Sequence, residues 1–80
     1  MMKVNKEDVV KILKKFGKVN ANLKNSYNFI ESGFIDSFNL LRFISDIEKK
    51  YKIVLDDKYT NSKKFGEIGD LVEKINQLKK

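Results

Sequence analysis

The residues of this 80-residue chain that could do chemistry lie in one stretch, Glu31-Ser32-Gly33-Phe34-Ile35-Asp36-Ser37-Phe38-Asn39-Leu40-Leu41. A glycine turn and two apolar residues lead into Asp-Ser, and an amphipathic run begins there. This order puts the Ser37 hydroxyl at a helix N-terminus, with Ser37 as the cap and Asp36 just before it. Free backbone N–H groups and the positive end of the helix dipole favour an anion at such a place. A phosphate ester on Ser37 is therefore electrostatically welcome. Asp36 is a ready partner for a divalent cation or for a basic residue of a modifying enzyme. The plainer reading gives Ser37 only a capping role, worth about 1 kcal/mol, and makes Asp36 an ordinary helix-start acid.

The rest of the composition narrows the chemistry. The chain has no cysteine and no histidine. It therefore has no thiolate nucleophile and no disulfide, and neither Ser-His-Asp catalysis nor a His/Cys zinc site can be built within it. It also has no proline, which favours helices over a turn-rich β architecture. The longest apolar run is a few residues, well short of the roughly 20 that span a bilayer. The start, Met1-Met2-Lys3-Val4, is not followed by the apolar core of a secretory signal. A soluble, cytoplasmic protein is expected, as one domain over residues 1–80.

The elements that must hold Ser37 in place read as helices. Val9, Val10, Ile12, Leu13 and Phe16 follow helical spacing, with Asn5 as the cap and Gly17 as the stop, which predicts a first helix over about residues 5–16. Residues 17–36 mix turn formers (Asn20, Asn22, Asn25, Ser26, Asn28, Ser32, Gly33) with apolar Leu23, Tyr27, Phe29, Ile30, Phe34 and Ile35. This segment is expected to be a long loop packed down on the core, with room for one helical turn. From Ser37, the stripe Leu40, Phe43, Ile44, Ile47 and Tyr51 marks the clearest helix. Asp56 and Asp57 cap a short helix through about Asn61. A last helix runs from about Gly66 to Gln77 with Ile68, Leu71, Val72, Ile75 and Leu78 on its apolar face. Gly69 inside it costs about 1 kcal/mol against Ala, a sign of close packing at that point. The expected fold is all-α, with three main helices and one short one.

In Gly33, Asp36, Ser37 and Phe38 the chain resembles the phosphopantetheine-dependent carrier proteins, which include acyl carrier proteins and the aminoacyl and D-alanyl carriers. Their motif is Gly, two residues, Asp-Ser and a large apolar residue, opening the second helix of a four-helix bundle. The resemblance extends over nearly the whole chain. Phe65-Gly66-Glu67-Ile68-Gly69-Asp70-Leu71-Val72 looks like the family's approach to its last helix, with Gly66 where a Thr or Ser cap is more usual. A long first loop is a further family feature. The resemblance implies a small four-helix bundle in which Ser37 carries a 4′-phosphopantetheine arm. A separate phosphopantetheinyl transferase attaches the arm from coenzyme A with Mg²⁺. The arm's thiol then holds an acyl or aminoacyl group as a thioester, so a chain without cysteine takes part in thioester chemistry. By the same resemblance the chain is a monomeric carrier rather than an enzyme. Its partners are a loading ligase and downstream transferases. Asp-Ser-Phe in a basic chain, where housekeeping fatty-acid carriers usually read Asp-Ser-Leu and are acidic, points to a dedicated pathway.

On the helical wheel Phe38 lies nearly opposite the core stripe, together with Arg42 and Ser45, and Leu41 flanks Ser37. One reading makes Phe38, Leu41, Arg42 and Ser45 a docking face for partner enzymes. The other tucks Phe38 under the first loop, against residues such as Phe34.

The formal net charge of +6 first suggests a small helical nucleic-acid binder, and a protein-interaction module is a further alternative. The charge is uneven, however. Residues 31–48 set Glu31, Asp36, Asp46 and Glu48 against Arg42 alone, a net of −3. Read linearly, the segment that meets partners is acidic, so basic patches on those partners would be steered to it and nucleic acid would not. The lysine pairs 14–15, 49–50, 63–64 and 79–80 read as solvated faces and helix ends.

Overall fold

Local sequence signals start the first helix. In the computed structural model, which describes residues 3–19 and 23–79, Asn5 caps α1 (Lys6–Leu13) by a reciprocal pair of bonds. The Asn5 side chain accepts from the Asp8 amide at 3.1 Å, and the Asp8 carboxylate accepts from the Asn5 amide at 3.0 Å. One 3₁₀ turn, Lys14–Phe16, continues α1 to Gly17, so the first helical segment ends where expected. The expected turn formers Asn20 and Asn22, the Met1-Met2 start and Lys80 lie outside the described residues.

Three further helices follow: α2 (Ser37–Tyr51), α3 (Asp57–Thr60) and α4 (Ile68–Leu78). No β-strand occurs among the described residues; Asn28 and Glu67 form a single isolated antiparallel bridge. α1 packs against both α2 and α4. The helical stripes lie where their periodicity puts them. Val9, Val10, Ile12 and Leu13 of α1, Phe43 and Ile47 of α2, and Ile68, Leu71 and Ile75 of α4 are buried. Leu40, Ile44, Tyr51, Val72 and Leu78 border that core. An aromatic chain crosses it. Phe16 meets Phe43 at 6.2 Å, Phe43 meets Phe29 at 5.1 Å, Phe29 meets Phe65 at 6.1 Å, and Phe65 meets Tyr59 at 5.4 Å, all edge-to-face.

The connections carry core residues too. Ile53 and Leu55 are buried with exposed Val54 between them, the alternation of an extended segment. The Tyr59 hydroxyl donates to Asp70 Oδ2 at 2.9 Å and ties α3 to α4; burial and the Asp70 carboxylate push its ionisation well above the usual tyrosine range. Asn76 clamps the start of the chain to its end, its side chain accepting from the Val4 amide at 2.9 Å and donating to the Val4 carbonyl at 2.8 Å.

α4 starts two residues later than the glycine signal implied. Gly66 is not its cap: φ is +120° there, and a Cβ would come within 2.4 Å of Asn28 Oδ1. The cap position is Glu67, which makes no side-chain capping bond. Two of the open amides of α4 are met instead by the first loop. Ile68 N–H donates to the Tyr27 carbonyl at 3.1 Å and Gly69 N–H to the Asn25 carbonyl at 2.9 Å. The close packing expected at Gly69 is present, since a Cβ there would lie 2.9 Å from Asn25 Cβ.

Candidate functional site

The loop before Ser37 is built by its own polar residues. Asn28 Oδ1 accepts from both the Ile30 and Glu31 amides at 2.9 Å, an Asx-type turn. The Asn28 carbonyl accepts from Ser32 N–H, the Ile30 carbonyl from Gly33 N–H, and Gly33 takes φ +78°. The Ile35 amide returns to the Phe29 carbonyl at 3.3 Å, which closes the turn. Phe29 and Ile35 both point into the core, so the two ends of the turn are anchored. On the far side Lys6 Nζ donates to the Leu23 carbonyl at 2.7 Å and holds the loop to α1.

Asp36 then sits in extended backbone and starts α2. Its Oδ1 accepts from the Asn39 amide at 2.8 Å and its carbonyl accepts from the Leu40 amide at 2.8 Å. The cap is therefore Asp36, not Ser37 as expected, and Ser37 is the first residue of the helix proper. The physical reason is geometric. The carboxylate of the extended residue reaches the amide three positions on, and the residue after it already has helical backbone. The exchange frees Ser37. Its side chain is exposed and makes no hydrogen bond among the described residues. The first two helical amides, of Ser37 and Phe38, have no intrahelical acceptor.

Of the two readings of Phe38, the tucked one does not hold. Phe38 is 70% exposed and Leu41 is 68% exposed. Phe34 takes the covered place instead, its ring lying against Gly17, where a Cβ would sit 3.2 Å from it. Phe38, Leu41, Arg42 and Ser45 come together as expected from the wheel. With Asp46 and Lys49 they line a shallow depression of about 320 Å³ along the outer side of α2.

The linear charge count does not carry over to this face. Asp36, the cap, and Glu48, whose Oε2 accepts from the Leu55 amide at 2.8 Å, both lie outside the lining of the depression. What remains on the depression is Asp46 against Arg42 and Lys49. Sequence reading also missed a second depression, of about 370 Å³, between α1 and α2, lined by Lys11, Ile12, Lys15, Asp46, Lys49 and Lys50. Lys11 and Lys15 are one helical turn apart and so share a face by spacing alone. That this face adjoins α2 is set by the packing of the two helices. Among the described residues no group of Asp and Glu side chains gathers into a metal site. No helix among them is long and apolar enough to cross a membrane.

Comparison of the chain with known protein families, curated proteins and solved structures finds no match.

Proposed function

We propose that the chain is a carrier of the phosphopantetheine type, with Ser37 as the point of attachment. The observation that carries the reading is the division of labour at the start of α2. Asp36 does the capping, which leaves an exposed serine hydroxyl without a hydrogen-bond partner at the open end of a 15-residue helix. A serine that served as the cap would point its oxygen back at the helix. This one is available to a transferase.

The residues present fit the group. The Ser37 and Phe38 amides and the positive end of α2 favour the phosphodiester that attachment creates. The arm, once attached, supplies the thiol that the chain lacks. Ser37 provides the oxygen, Asp36 holds the first turn in shape, and Phe38, Leu41, Arg42 and Ser45 provide the surface on which enzymes that attach, load or unload the arm come to rest. In this reading the four helices form a carrier-type bundle and residues 1–80 act as one cytoplasmic, monomeric carrier domain that is not itself a catalyst.

The test is an intact-mass measurement after incubation with coenzyme A, Mg²⁺ and a promiscuous phosphopantetheinyl transferase. The expected outcome is addition of one arm to the wild-type chain and none to Ser37→Ala, with the two chains melting alike. No mass gain in the wild type, or a gain retained in Ser37→Ala, overturns the assignment.

A further inference from the structure

The two depressions beside α2 share Asp46 and Lys49, so they are parts of one surface. At one end, nearest Ser37, stand Phe38 and Leu41, both about two-thirds exposed or more. At the other stand exposed Lys11, Lys15, Lys49 and Lys50, with exposed Arg42 between. Five cations face one acid across this surface. Lys11, Lys15, Arg42 and Lys49 make no hydrogen bond or ion pair among the described residues, and nor does Asp46. Free cations beside two exposed apolar side chains are the make-up of a contact surface with an apolar centre and a charged rim.

We infer that this surface docks a protein partner whose contact patch is acidic around an apolar hollow. The hollow takes Phe38 and Leu41, and its carboxylates face Arg42 and the lysines of α1 and α2. A basic partner, which the linear count of residues 31–48 suggests, meets repulsion here. Nucleic acid satisfies the lysines but leaves two large apolar side chains at the same surface unused, so a protein is the better fit. That the partner comes to this surface to act on Ser37 rests on the carrier reading. The charge and shape of the surface do not.

The experiment is an amide NMR titration of wild type and of Ser37→Ala. The probes are two amphipathic helical peptides with the same Leu and Trp positions, one with Glu and one with Lys at every other site, and a DNA oligonucleotide. The Glu peptide is expected to shift Phe38, Leu41 and Arg42 together with Lys11 and Lys15, equally in both chains, and to bind more weakly as salt rises. The Lys peptide is expected to bind roughly tenfold less tightly, and Arg42→Glu with Lys49→Glu to weaken the Glu peptide by about the same factor. If that double variant loses its helical circular dichroism, Arg42→Gln with Lys49→Gln replaces it and a smaller loss in the same direction is expected. Equal or tighter binding of the Lys peptide overturns the inference. So does a Glu peptide that shifts none of these residues, or an oligonucleotide that outcompetes the Glu peptide. A chain that binds the Glu peptide here but takes no arm from coenzyme A keeps this inference and retires the carrier reading; the reverse pair of results does the opposite.

Discussion

The N-termini of α2 and α4 solve the same problem in opposite ways. Each must satisfy the open amides of a first helical turn. α2 does so locally, with one carboxylate three residues from its target, and stays exposed. α4 has no side-chain cap and borrows the carbonyls of Tyr27 and Asn25 from the first loop, which closes over it. Its glycines record the closure: Gly66 and Gly69 have no room for a Cβ, while Gly33, in the turn before α2, has nothing within 4 Å. The difference teaches where a ligand can go. A helix end covered by tertiary structure has spent most of its donors on the covering loop. One sealed by a single side chain keeps its neighbouring hydroxyl and amides available.

Four substitutions break or sharpen this contrast. The largest effect is expected at the sealed end. Gly66→Ala forces a Cβ into left-handed backbone and against Asn28 Oδ1, which is already fixed by two amides. A loss of about 3 kcal/mol is expected, read from urea unfolding, and a loss below about 1 kcal/mol would show that the loop can yield. Next come the two cap positions. Asp36→Ala removes a capping bond and should cost about 1 kcal/mol, whereas Glu67→Ala, where no such bond exists, should cost close to nothing. Equal costs in thermal melts would erase the distinction. The smallest effect on stability is expected at Phe38→Ala, within about 0.5 kcal/mol, because the ring is 70% exposed. On the carrier proposal, its consequence should appear instead as a raised KM for arm transfer to Ser37. A melting loss comparable to that of a core phenylalanine would return Phe38 to the core.

Much of the fold was legible in advance because helical periodicity and capping are local. Asn5 with Asp8, Gly17, the stripe of α2 and the stripe of α4 all lie within a few residues of what they act on. The candidate site was legible to the same degree. The turn at Gly33, the position of Ser37 and the wheel that sets Phe38, Leu41, Arg42 and Ser45 apart follow from spacing. The assignment of the cap to Ser37 failed because Asp36 and Ser37 are both good caps and adjacent. Which one serves depends on where extended backbone gives way to helix, and that is set by the buried anchors Phe29 and Ile35. Asn76 offered no signal, since its partner Val4 lies 72 positions away.

Composition excluded thiol and imidazole chemistry from this chain outright, and order alone put a serine at the start of its longest helix. These are properties of residue type and of contacts along the chain. Tertiary structure decided which polar groups remain available. It leaves Asp36 and Glu48 outside the lining of the two depressions and brings Lys11 and Lys15 beside the lysines of α2, so that cations outnumber acids on this face although the segment is acidic when counted in a line. Charge along a sequence adds without regard to direction, but charge on a surface depends on which side chains face outward together, and only packing settles that.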